Sequence, residues 1–210
     1  MKSLILKDLI TFRGYLKTMI LILVFFSIMT YSMDDVSFLS GMIILWLTML
    51  PITSFSYDQH AKWDLFGHTL PVSRKQMVSS KYVLGLLFVG FATVIALTLN
   101  IVISLIKSIN FDLLFLIEVN VAIGLVAIVF LSILFPLIYK FGVEKSRMFV
   151  FVILAIPSII VILMSNAGLQ LPTFDYITPE LLLVGGIVVV AIVTMISYFV
   201  SLKIYLAKDF

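Results

Sequence analysis

The sequence predicts an all-α polytopic membrane protein with six transmembrane helices. Three observations predict it. Of the 210 residues, 62% are hydrophobic and only 12% are charged, against roughly 45–50% and about 25% in a soluble domain. The apolar residues fall in long continuous stretches and do not alternate with polar ones, so a membrane β-barrel does not fit. The basic residues gather in every second loop. A mean hydropathy of +1.24 excludes a soluble enzyme, a nucleic-acid-binding domain and a disordered chain. The absence of Cys removes disulfides, thiolate metal sites and Cys nucleophiles.

A spanning helix needs about 20 mainly apolar residues, and six stretches supply them. Ahead of the first, Met1–Phe12 reads as an amphipathic helix. Leu4, Ile5, Leu9 and Phe12 fall near one face, and Lys2, Ser3, Lys7, Asp8 and Thr11 fall opposite. Such a helix can lie in the headgroup plane. The first span is Tyr15–Met33; no small-residue cleavage site follows, so it is not a cleaved signal peptide. The second is Val36–Phe55, with Asp35 placed to cap it. The third, Tyr82–Ile106, and the fourth, Leu113–Tyr139, flank a short loop, and Asp112 caps the fourth. Ser146 precedes the fifth, Met148–Met164, and Thr178-Pro179 opens the sixth, Leu181–Leu202. Pro51, Pro136 and Pro157 lie inside spans, where Pro kinks a helix. Gly185-Gly186 permits close approach to a neighbouring helix or to a second copy. Residues 1–210 form one transmembrane domain without a visible internal repeat.

Loop charge sets the orientation. Lys2, Lys7, Arg13, Lys17, Lys62, Arg74, Lys75, Lys81, Lys140, Lys145, Arg147, Lys203 and Lys208 all fall on one side. Lys107 alone falls on the other, with Asp34, Asp35, Asp112, Asp175 and Glu180. Basic residues mark the cytoplasmic side. Both termini are therefore predicted to be cytoplasmic in a multi-pass protein of the cell membrane. With Asp8, Asp58, Asp64, Glu144 and Asp209 counted, the cytoplasmic side carries +8; with Glu118, the outer side carries −5. The sequence pI of 9.1 thus reports orientation and not affinity for nucleic acid.

The cytoplasmic connection, residues 56–81, is the longest and the most polar. Its first half can form a short helix with Trp63, Phe66 and Leu70 on neighbouring turns, stopped by Pro71. Ser73 and Gln76 then have capping-box spacing at the start of the next helix. The aromatics suit either a docking surface for a partner or the headgroup layer. His60, Asp64 and His68 have i, i+4, i+8 spacing, which on a helix would share a face, but Gly67 and Pro71 weaken that helix and no third His exists. A solvated face is preferred to a metal site there. No Gly-rich phosphate loop, GxSxG or HExxH motif occurs, so the chain is expected to hold no cofactor and no catalytic residue.

Ionisable groups at membrane depth are functional candidates by default. Glu118 enters the fourth span from outside; Asn120 lies near it, and Asn100 sits near the outer end of the third. These three either line the outer mouth of a passage, or form a structural knot in which Glu118 pairs with Lys107 and the Asn side chains bond neighbouring helices.

Tyr57-Asp58, Lys62-Trp63-Asp64, Leu70-Pro71-Val72-Ser73-Arg74 and Lys81-Tyr82, in that loop of that topology, resemble the small six-span permeases of the ABC type-2 family. The opening residues Met1–Leu9 resemble the same family. The resemblance implies an elbow helix at the N-terminus and a cytoplasmic coupling helix between spans two and three, docking on a separate ATPase subunit. Asp58, Trp63, Asp64, Leu65, Phe66 and Leu70 would carry that contact, with ATP and Mg held by the ATPase. It also implies half of an exporter's pathway, completed by a second copy or a related permease, with an amphipathic peptide, bacteriocin, toxin or drug as cargo. The short outer segment Ser165–Glu180 leaves little room for re-entrant helices. The competing functions are a substrate-binding membrane subunit of an importer and a membrane metal-dependent enzyme.

Overall fold

The computed structural model describes residues 2–32, 37–67, 71–108, 112–167 and 179–208. Asp34, Asp35, His68, Leu70, Asp175, Thr178 and Asp209 lie outside that set, as do the side chains of Asp64 and Leu65. The described residues are helical apart from turns. In chain order the helices are α1 (Lys2–Phe12), α2 (Leu16–Tyr31), α3 (Ser37–Thr48), α4 (Leu50–His60), α5 (Trp63–Gly67), α6 (Arg74–Ile106), α7 (Leu113–Phe141), α8 (Val143–Asn166) and α9 (Pro179–Leu206). Six segments are long and apolar enough to cross a membrane, as the sequence predicts.

Continuous apolar sequence makes the spans, and local chemistry sets their ends. Ser73 accepts from the Gln76 amide while the Gln76 side chain accepts from the Ser73 amide, so the capping box forms and starts α6. The Asp112 carboxylate accepts from the Leu114 amide at 2.9 Å and starts α7. Pro51 acts as predicted: the second span breaks at Met49, whose amide turns back to the Trp46 carbonyl. Pro136 stays inside a continuous α7.

Ser146 does not start the fifth span. That helix begins at Val143, and Ser146 lies inside its first turns, donating to the Gly142 carbonyl at 2.7 Å. The real break is Gly142, at φ +83° and ψ 169°, a region open almost only to Gly. It lets α7 reverse into α8 through a single residue. The first amide of α8 then finds its acceptor on another helix: Val143 N donates to Gln59 Oε1 at 3.0 Å.

Helix α7 is the central element, packed on α3, α6, α8 and α9. Leu39, Ile43, Ile44 and Leu47 of α3 are fully buried against α6 and α7. Small residues bring α6 and α7 together. A Cβ at Gly124 would stand 2.9 Å from Thr93 Oγ1, and one at Gly85 would stand 3.0 Å from the Phe135 ring. The two candidate close-approach glycines divide: Gly186 faces Leu125 of α7, and Gly185 meets nothing. The apolar stretch of α8 buries none of its residues, and α9 exposes Leu181, Val184, Val188, Ile192 and Phe199.

The N-terminal segment departs from expectation. A 3₁₀ turn, Arg13–Tyr15, joins α1 to α2, and the whole run follows α6 in the same direction. Asp8 meets Lys81, Phe12 meets Phe88 edge-on at 5.0 Å between centroids, and the Thr30 carbonyl accepts from Lys107 at 3.4 Å. The buried stripe of α1 is Leu4, Asp8 and Phe12, while Leu6, Leu9 and Ile10 are exposed. The sequence assigned Asp8 to the outer polar face; its carboxylate turns inward because Lys81 is there to meet it.

Candidate functional site

The charges of α1, α4 and α6 converge at the end of the bundle that carries the basic loops. Asp58 sits in the last turns of α4, with Ser54 one turn before it. Lys81 lies two turns inside α6, a register set by the cap at Ser73. Lys7 and Asp8 come from α1. The four side chains form a closed ring of alternating sign. Lys7 Nζ is 3.1 Å from Asp8 Oδ1 and 2.5 Å from Asp58 Oδ1. Lys81 Nζ is 2.9 Å from Asp8 Oδ2 and 2.5 Å from Asp58 Oδ2, and it also donates to Ser54 Oγ at 2.6 Å. The ring is neutral overall, which is how ionisable groups persist at or near membrane depth.

Aromatic rings enclose it. Lys7 Nζ lies 4.2 Å from the Trp63 ring centroid, and Lys81 Nζ lies 5.1 Å from that of Phe55. Phe55 in turn packs on Phe135 and Tyr139 of α7. A cavity of about 160 Å³ adjoins the ring, lined among others by Gln59, Met77, Tyr139 and Tyr205.

Further links close this end of the bundle. Asp58 ties α4 to α1 and α6, and the next residue, Gln59, ties it to α8. The Tyr15 and Tyr57 hydroxyls hydrogen-bond between the 3₁₀ turn and α4. Arg74 donates to the Leu206 carbonyl at 2.9 Å, joining the start of α6 to the end of α9. Tyr82 shares its hydroxyl with Ser197 and Ser201 at 2.6 and 2.8 Å. Asp58, Arg74, Lys81 and Tyr82, all in the stretch that carries the resemblance, are thus internal fasteners in this fold.

The expected coupling helix takes a specific form. Residues 58–70 are not one helix, because α4 ends at His60, Lys62 takes a left-handed φ of 49°, and α5 starts afresh at Trp63. Of the six predicted contact residues, Asp58 is spent in the ring, and Trp63 is half-buried over Lys7. Phe66 packs on Trp63 with centroids 5.4 Å apart and the rings tilted by 50°, and it is 56% exposed. Asp64 and Leu65 lie on α5 by backbone, and Leu70 lies outside the described residues. Gly67 rests on the first turns of α6, where a Cβ would stand 2.7 Å from Met77 Cε. The break at Ala61–Lys62 also removes the shared helical face proposed for His60, Asp64 and His68. Among the described residues no group of three potential ligands could hold a metal.

The outer polar residues behave differently. Asn100 and Asn120 are fully buried. Asn100 Nδ2 donates to Ser40 Oγ at 2.5 Å, and Asn120 Nδ2 donates to the Leu116 carbonyl of its own helix at 2.8 Å. The Oδ1 atoms of both have no hydrogen-bond partner among the described residues. The expected Glu118–Lys107 pair does not form. Lys107 turns to the Thr30 carbonyl and stands 5.6 Å from the Tyr31 ring centroid. The carbonyl end of α2 is nearby because α2 runs beside α6, and a helix C-terminus favours a cation.

Sequence reasoning missed the partners of Asp58. Lys7 and Asp8 read as part of the polar face of the N-terminal helix, and Lys81 as a cytoplasmic loop charge and a residue of the motif. The available signal was the Leu4, Asp8, Phe12 stripe at i, i+4, i+8, which places a carboxylate in an apolar seam.

Compared with known families, residues 3–206 match the family described as ABC-2 family transporter protein. No curated protein and no solved structure matches the chain. Six membrane-spanning helices, and a family match that runs from α1 to the end of α9, place this chain in the ABC-2 transporter membrane family.

Proposed function

We propose that the chain is the permease subunit of an ATP-binding cassette exporter, forming half of a translocation pathway and driven by a separate ATPase subunit. Family membership supports the permease role and an ATPase partner. The observation that carries the coupling assignment is the placement of Phe66: a large exposed aromatic on a short helix, braced from behind by Trp63, at the basic end of the bundle. Exposed aromatics rimmed by charge are interface anchors.

The geometry offers a route for force. A push on α5 reaches α4 through the turn at Ala61–Lys62 and reaches α1 and α6 through the charged ring. ATP and Mg belong to the partner ATPase; this chain supplies no catalytic residue. A second copy or a related permease completes the pathway. The cargo class is an amphipathic peptide, bacteriocin, toxin or drug, and both termini are cytoplasmic.

The test is the Trp63→Ala/Phe66→Ala double variant, reconstituted with its ATPase in liposomes. Export and export-stimulated ATP hydrolysis should fall about tenfold or more, the loss of a two-residue hot spot. The single Phe66→Ala should unfold within about 0.5 kcal/mol of the unaltered chain, as surface substitutions do. Undiminished export by a folded double variant would remove the coupling role from α5.

A further inference from the structure

Helix α1 is amphipathic the wrong way round for a helix in water. Its Asp8 is buried and its Lys7 half-buried in the charged ring, while Leu6, Leu9 and Ile10 face outward at 58%, 44% and 61% exposure. That outward face continues into α2 and across α6 as an apolar groove of about 510 Å³. Phe12, Met19 and Phe88 form its buried floor, and Leu9, Leu16 and Phe91 are among its exposed walls. From Leu9 to Met19 it runs about 15 Å along the helices. One charged residue lines it: Arg13, on the 3₁₀ turn.

Arg13 is exposed, and its guanidinium makes no ion pair or hydrogen bond among the described residues. Lys17, one turn on, is a second exposed cation. Between them the backbone is open, because a Cβ on Gly14 would meet no atom within 4 Å. The nearby carboxylates, Asp8 and Asp58, are each held by two lysines and do not compete for Arg13.

From this we infer that the groove between the N-terminal segment and α6 is a binding site for an anionic phospholipid. One acyl chain lies along Leu9, Phe12, Leu16, Leu87 and Phe91. The phosphate sits on Arg13, whose planar fork of donors suits a phosphate, and Lys17 adds to the field. The basic loops put this end of the bundle in the cytoplasmic leaflet, where anionic lipids face such cations. The inference is independent of the export reading, since it uses neither α5 nor a partner protein.

The test is native mass spectrometry of the full chain, released from micelles doped with equal amounts of phosphatidylglycerol and phosphatidylcholine. The unaltered chain should retain phosphatidylglycerol in preference by about tenfold or more, the combined effect of two interfacial basic residues. Arg13→Gln should reduce that preference about fivefold, the share of one such residue; Arg13→Lys should keep most of it. Arg147→Gln, on α8 away from the groove, should leave it unchanged. Filling the groove with Leu87→Trp should reduce retention of both lipids. Circular dichroism and a thermal melt on each variant exclude misfolding. Equal retention of the two lipids by the unaltered chain would overturn the site. A preference that survives Arg13→Gln in a folded protein would overturn the role of Arg13.

Discussion

Two sets of buried polar side chains, one around Lys81 of α6 and one made of Asn100 of α6 and Asn120 of α7, are built on opposite principles. Lys81 anchors one near the start of α6; Asn100 anchors the other about 28 Å further along it. At the basic end, each of four charged side chains touches two of opposite sign, and Ser54 takes a remaining proton of Lys81. At the far end, two fully buried amides each leave an oxygen unpartnered among the described residues. A buried acceptor left unmade costs about 1–3 kcal/mol. The first cluster is a finished fastening and the second an unfinished one. One end of the bundle is therefore fixed by electrostatics that tolerate no loss, and the other by packing and a few single hydrogen bonds, Asn100 to Ser40 and Lys107 to the Thr30 carbonyl among them.

The largest expected effect comes from opening the ring. Lys81→Met leaves Asp8 and Asp58 facing each other with Lys7 alone between them. Removing one partner of a buried ion pair costs about 3–5 kcal/mol. Thermal unfolding in detergent should report that loss, and a companion Lys81→Met/Asp8→Leu variant should recover part of it, since the second change removes the surplus carboxylate and leaves Lys7 and Asp58 as a neutral pair. A loss below about 1 kcal/mol for the single variant is what a solvent-exposed pair would give, and it would mean that the ring is open to water.

A smaller effect separates the same two ends without touching a charge. Gly142 holds the reversal between α7 and α8 at φ +83°. Gly142→Ala places a Cβ in a backbone region that costs about 1–3 kcal/mol, while the nearest atom, Gln59 Nε2, stands an ordinary 3.5 Å away. The destabilisation should therefore be pure backbone strain. Gly185→Ala at the other end meets no atom within 4 Å and sits inside a regular helix. It should be neutral or gain up to about 1 kcal/mol from helix propensity. Parallel melts of the two variants give the contrast directly.

What could be read from the sequence divides along the same line. The spans were legible because each depends only on its own apolar run, and the Ser73 and Asp112 caps because each bonds within three residues. The ring was not legible. Asp8 and Lys81 are 73 residues apart, and they meet only because the N-terminal run lies alongside α6. The start of the fifth span went to Ser146 because a hydroxyl is a visible cap, whereas the true boundary depends on the φ of a Gly and on a Gln from another helix. For the Glu118–Lys107 pair, closeness in sequence misled in the same way: Lys107 answers to α2, a neighbour that only the fold supplies.

The smallest expected effect concerns the unfinished cluster and is the sharpest, because its sign is unusual. Asn120→Leu removes a fully buried polar residue, yet among the described residues the only side-chain hydrogen bond lost goes to the Leu116 carbonyl of the same helix, a carbonyl in the helical ladder regardless. It also removes the orphaned Oδ1 and puts a side chain of similar branched outline in its place. The unfolding free energy should stay level or rise by about 1 kcal/mol, since exchanging an unsatisfied buried group for an apolar one of the same shape is neutral or stabilising. If the amide serves cargo passage, export by the reconstituted pair should fall while stability does not. If it serves only packing, neither should fall. A loss of stability above about 2 kcal/mol, the price of breaking a satisfied buried network, would show that the Asn120 oxygen has a partner in the folded protein and that the far end is fastened as fully as the ring.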